Sequence, residues 1–151
     1  SSELAEDKGQ SAEIKSFAKM MVRDHGKANK ELEALAEKRG AKVPGELDAK
    51  HAADLKKLQG LEGAAVDKEY IQAQRAAHKE AVGLFQSYSG SNGDPELTAW
   101  AGKTLPTLKT HQSHAQTLNP GMAEGAGSSS MGRAATGAEE PAKQSKQPAK
   151  Q

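Results

Sequence analysis

Residues 20–40 read MMVRDHGKANKELEALAEKRG, and the fold follows from how the apolar residues in and around this stretch are spaced. Ile14, Phe17, Ala18, Met21, Ala28, Leu32, Leu35 and Ala36 recur at intervals close to one helical turn. The series has one gap, between Met21 and Ala28, and His25 fills it. A strand would alternate with period two, and this stretch does not. Ser11 is a suitable N-cap and Gly40 a suitable stop, so the pattern predicts a helix over residues 12–39. Gly26 lies inside it, at a cost of about 1 kcal/mol relative to Ala. A titratable side chain on a core-facing stripe raises the functional question.

Outward from this helix, AKVPGELDAK breaks the pattern, because Pro44 and Gly45 do not continue a helix. A shorter helix is predicted over residues 46–59, with a thin face of Leu47, Ala52, Leu55 and Leu58. Gly60 and Gly63 end it. Residues 64–89 form the next long helix, with the stripe Asp67, Ile71, Gln74, His78, Ala81, Val82 and Phe85. The loop SGSNGDP supplies Asp94 as N-cap and Pro95 at the first helical position. The last helix, residues 95–118, carries Leu97, Ala101, Thr104, Leu108, His111, Ala115 and Leu118. Pro106 removes one backbone donor there and leaves the carbonyl of Gly102 without its partner, which predicts a kink.

From residue 120 the chain has no periodicity and is rich in Gly, Ser, Pro, Gln and Lys. Such a segment cannot bury enough apolar surface to offset its ordering entropy. The expected organisation is therefore an all-α helical bundle over residues 1–119 and a disordered tail over 120–151, whose partner the sequence does not name.

Composition agrees. Hydrophobic residues are 35% and aromatics 3%, too lean for a 151-residue core without a disordered part and too poor in aromatics for a β-fold. A net charge of +1 with interleaved signs gives no basic patch, so nucleic acid is not expected as a partner. The absence of cysteine excludes disulfides and thiolate ligands. No run is long and apolar enough for a transmembrane helix, and no signal peptide is visible. The opening SSELAEDKGQS lacks an initiator methionine, as a processed or truncated product would.

Three long helices each place one histidine in an apolar stripe: His25, His78 and His111. A bundle points all three stripes at one axis. His25 and His78 lie equally far into parallel helices. Counting back from the loop sets His111 opposite about residue 73, near Gln74, an offset of roughly 7 Å from His78 at 1.5 Å per residue. Convergence of the three, with Gln74 close by, would make a site for an imidazole-preferring ion such as copper or zinc. Asp24 does not share the face of His25 but can serve a neighbouring helix as a supporting partner. Asp67 is too far from His78 to coordinate with it and is expected to cap, and Tyr70 to hydrogen-bond across a helix interface. His111 and His114, three apart, could bind metal on a surface, and His51 is expected to be exposed. No nucleophile motif, phosphate loop or close carboxylate pair is present, so no enzyme activity is expected.

The segments IKSFAKMM with VRDH, VDKEYIQAQRAAHKEAVGLF and TLPTLKTHQSHAQTL, in this order and spacing, resemble the bacterial domain of unknown function 4142. The resemblance spans about residues 3–118. It implies a ferritin-like helical bundle and a periplasmic, secreted or outer-membrane-associated setting. It marks Asp24, His25, Asp67, Tyr70, His78 and His111 as the family's recurrent polar positions. It also implies a further helix at the start, of which ELAEDKGQS supplies only the end. Most of the first helix would then be missing, leaving an apolar groove and a tendency to self-associate. Di-iron proteins of ferritin-like fold use inward Glu residues and Glu-x-x-His pairs, and this chain has neither. The resulting expectation is a non-catalytic helical-bundle protein of the cell envelope, with a three-histidine metal-binding bundle as the alternative.

Overall fold

The structure is a computed structural model describing residues 1–45 and 49–121. It contains α1 (Ser2–Lys8), α2 (Ala12–Glu37), α3 (Ala49–Gln59), α4 (Ala64–Ser89) and α5 (Pro95–Thr117), with no strand among the described residues. The tail expected from residue 120 lies, after Gly121, outside the described residues, as does the expected helix start at Glu46.

Local chemistry sets the helix ends. The Ser11 hydroxyl accepts from the backbone N–H of Ile14, and the Asp94 carboxylate accepts from Glu96 and Leu97, so both expected N-caps form. α2 ends at Glu37, two residues before the expected boundary, because Gly40 adopts φ +66°. The N–H of Ala41 then donates to Ala36 O and that of Gly40 to Glu37 O, the paired closure of a Schellman motif. α5 stays helical on both sides of Pro106, so the proline interrupts its hydrogen bonding without ending the helix.

Ion pairs and ring contacts fix the helix directions. Arg39 holds Asp94, Lys103 reaches Glu31, and Phe17 meets the ring of His114, so α5 runs antiparallel to α2. Phe85 packs on Trp100 while Arg75 donates to the carbonyls of Ala115 and Leu118, so α5 is also antiparallel to α4. The start of α4 touches the start of α2 through Asp67, which makes those two parallel, as expected. α5 packs against both. α3 packs on α4, with Lys57 bonded to Glu69.

α1 folds back on α2 and also touches α4, closing one end of the space between them. The apolar core is concentrated there. Ala5, Ile14, Phe17, Ala18, Leu58, Val66, Tyr70, Ile71 and Ala115 are all fully or almost fully buried, and the rings of Phe17 and Tyr70 meet edge to face at 6.2 Å. Beyond α1 a groove of about 820 Å³ stays open between α2 and α4. Met21, Val22, Ala77, Ala81 and Leu84 line it together with the polar Glu3, Asn29, Gln74 and Glu80. The histidine stripe crosses the bundle where the sealed core gives way to this groove. No helix of the described residues is long and apolar enough to cross a membrane.

Candidate metal centre

The three stripe histidines converge. The ring centroids of His25 and His78 are 5.4 Å apart, those of His25 and His111 5.4 Å, and those of His78 and His111 5.6 Å. The offset of roughly 7 Å expected between positions 78 and 111 along the helices does not keep their rings apart. The count from the loop assumed that α4 and α5 start level at the turn. The pairing of Phe85 with Trp100 agrees with that count to within one residue, so the side chains of His78 and His111 reach each other across an offset of a few residues.

One nitrogen from each ring can be chosen so that all three lie within 4.8 Å of one another. A triangle with sides of 4.8 Å has each corner about 2.8 Å from its centre, and metal–imidazole bonds are about 2.0–2.1 Å. Each ring would have to move inward by less than about 1 Å. One edge is already at the required length. The Nε2 atoms of His25 and His78 are 3.3 Å apart. Two ligands on a tetrahedral ion with bonds of that length are separated by about 3.3 Å.

The outer nitrogens are held from behind. His78 Nδ1 lies 2.9 Å from the backbone carbonyl of Gln74, one turn earlier on the same helix. His111 Nε2 lies 3.0 Å from Oδ2 of Asp24. Asp24 in turn accepts from Nε of Arg23 at 2.7 Å. Carboxylate–histidine pairs of this kind orient the ligands of metal sites. Nδ1 of His111 is buried and has no hydrogen-bond partner, an arrangement that costs stability unless something fills it.

Burial sets the protonation. His78 and His111 are 3% and 2% exposed, while His25 is half-buried at the mouth of the groove. Desolvation, reinforced by the other two imidazoles, pushes His25 down from 6.5 to about 4. Desolvation also lowers His78, against the opposing pull of the Gln74 carbonyl. The Arg23 guanidinium beside Asp24 holds its carboxyl below the usual range, with burial opposing and His111 assisting. At neutral pH His25 and His78 therefore offer uncharged imidazoles beside the ionised carboxylate of Asp24, the state that coordination requires. Two openings reach it. The α2–α4 groove touches His25 and His78, and a cleft of about 200 Å³ between α2 and α5 touches His25 and His111.

The remaining candidates stand apart from the cluster. Asp67 caps, but not its own helix: its carboxylate accepts from the backbone N–H groups of Gln10 at 3.1 Å and Ser11 at 2.8 Å, tying the α1–α2 corner to α4. Tyr70 donates to Ser2 Oγ at 3.0 Å, across the α4–α1 interface. Gln74 contributes through its backbone carbonyl, while its side chain lines the groove. His114 lies edge-on to Phe17, and His51 is exposed on α3. Sequence reading missed Arg23 as the second anchor of Asp24. It also missed Arg75, whose guanidinium takes the carbonyls of Ala115, Gln116 and Leu118 at the end of α5. An arginine level with a neighbouring helix terminus was the available signal for the second.

Fold and site together define an all-helical bundle with three histidines, one from each long helix, gathered at its centre. The chain belongs to the family described as Domain of unknown function (DUF4142), whose model matches residues 1–118, the span of all five helices. No functionally described protein and no solved structure matches it.

Proposed function

We propose that the protein is a non-catalytic metal-binding bundle that holds one imidazole-preferring divalent ion, copper or zinc, on His25, His78 and His111. The observation that carries this reading is the convergence of three ligand nitrogens from three helices within 4.8 Å, at the edge of an otherwise apolar core. Three imidazole nitrogens without a thiolate suit copper(II) or zinc. A three-ligand set leaves a fourth position facing one of the two openings. The cell-envelope setting, periplasmic or secreted, is part of the proposal and rests on the family resemblance.

A second reading has a specific observation in its favour. His78 and His111 already have a protein partner on one nitrogen, as histidines that only fix helix register would. Calorimetric titration of untagged, chelator-free protein with zinc and with copper separates the two. The metal reading expects one ion per chain for the wild type and loss of that stoichiometry in His25→Ala. It also expects thermal stabilisation by zinc that the variant lacks. Equally weak binding by both proteins refutes it and leaves a structural cluster.

A further inference from the structure

A neutral imidazole carries one proton on two nitrogens, and the fixed partner of one nitrogen decides which atom remains for an ion. A carbonyl only accepts, so the 2.9 Å contact from His78 to Gln74 O requires the proton on Nδ1. His78 Nε2 is then a bare lone pair. The 3.3 Å contact between the Nε2 atoms of His25 and His78 needs one proton between them, and His78 has none to give. His25 must donate it, which places its proton on Nε2 and leaves its Nδ1 bare. An ionised carboxylate also only accepts, so the 3.0 Å contact from His111 to Asp24 requires the proton on Nε2 of His111. The lone pair of His111 is then on Nδ1, the buried nitrogen with no partner.

We infer that the three ligands are preset unequally: Gln74 fixes His78 to coordinate through Nε2, Asp24 fixes His111 to coordinate through Nδ1, and His25 is the switching ligand, which must move its proton from Nε2 to Nδ1 before it can bind. This rests on the metal reading above. The proton balance is closed: one proton leaves His25 Nε2 for water and one reaches Nδ1 from water, with no net change. The burial pattern matches these roles. The two preset rings are sealed at 3% and 2% exposure, while His25 is half-buried and lines both openings, where water can exchange its proton. Asp24 is a positioning residue in this arrangement, and Arg23 at 2.7 Å anchors it from the far side. The dipeptide Asp24–His25 thus supplies one ligand and the orienting partner of another on a different helix.

Long-range nitrogen–proton correlation spectra of nitrogen-15-labelled protein read each tautomer directly. Without metal, we expect the proton on Nδ1 of His78 and on Nε2 of both His25 and His111. With one equivalent of zinc, His25 should convert to the Nδ1–H form while His78 and His111 keep theirs, and the Nδ1 signal of His111 should report coordination. Asp24→Asn should scramble the His111 tautomer and weaken zinc binding by roughly 10- to 100-fold, with helix content unchanged. A proton on Nδ1 of His111 in the metal-free protein overturns the inference, as does coordination of zinc through its Nε2. If the wild type takes up no zinc, the metal reading fails by itself, and the metal-free tautomers still decide whether His78 and His111 are preset.

Discussion

Acidification should destabilise the metal-free protein in a window that His25 sets. In the folded chain its imidazole takes a proton only near pH 4, because burial and two neighbouring imidazoles oppose the charge. In the unfolded chain it does so near 6.5. Above 6.5 both states are neutral and the group contributes no pH dependence. Between 6.5 and 4 the unfolded state alone binds the proton, so stability falls as pH falls. Below 4 both are protonated and the loss is complete. At about 1.36 kcal/mol per pH unit, the gap from 6.5 to about 4 gives a ceiling of about 3.4 kcal/mol. His25 is only half-buried, and solvent screening lowers the expected loss to about 2 kcal/mol. His78, lowered by its own burial, adds in the same direction. Asp24, the carboxylate bonded to the cluster, does not share this window, since it is held below the ordinary carboxylate range and titrates later.

The assay is urea unfolding followed by far-ultraviolet circular dichroism, at about pH 7.5 and about pH 4.5, for the wild type and His25→Gln in chelator. Glutamine keeps a polar side chain of similar size and removes the titration. The wild type should lose about 2 kcal/mol more than the variant between the two conditions. For a domain whose total stability is about 5–15 kcal/mol, that difference is well within reach of the measurement. Equal losses for the two proteins would show that His25 titrates as an exposed histidine does, and the packed cluster would be wrong.

Two further substitutions test how the site is framed. Asp67→Ala should cost about 1–3 kcal/mol, because it leaves the backbone N–H groups of Gln10 and Ser11 without their acceptor, and an unchanged urea midpoint would count against that bond. Gly9→Ala should lower the melting temperature although its φ of −66° is ordinary, because a Cβ there would lie 2.5 Å from Ala5 O and 2.6 Å from Asp67 Oδ1. A melting temperature at or above the wild-type value would mean that the α1–α2 corner is looser than described.

Much of the fold was legible because it is written in local signals. The boundaries of α4 match the expected 64–89, and both capping residues, Ser11 and Asp94, act as their types predict. The one-histidine-per-helix pattern was also legible, since a 3.6-residue period maps directly onto one face. What the sequence could not supply is which side chains meet across the offset between α4 and α5. Phe85 packs with Trp100 and Arg75 grips the last turn of α5, and neither contact has a local signature. Asp67 shows the same limit: a carboxylate in the first turn of a helix reads as that helix's own cap, and only the tertiary fold reveals that it holds the corner between two others.

The gap in the apolar stripe at His25 can now be weighed as a choice between two costs. An apolar residue at position 25 would set helix register as well as an imidazole does, without the acid sensitivity worked out above. Three imidazoles gathered in one cluster leave two Nε2 atoms sharing a single proton and one buried Nδ1 with no partner. An unpaired buried nitrogen alone costs about 1–3 kcal/mol. A purely structural cluster would be expected to close its own hydrogen bonds, as Asp67 and Tyr70 do on the same helix. Here the closure stops one partner short at His111 Nδ1, in a cluster whose three rings an ion could bridge if each moved inward by less than about 1 Å. The arrangement is unfavourable for the metal-free protein, and binding an ion is what would offset it.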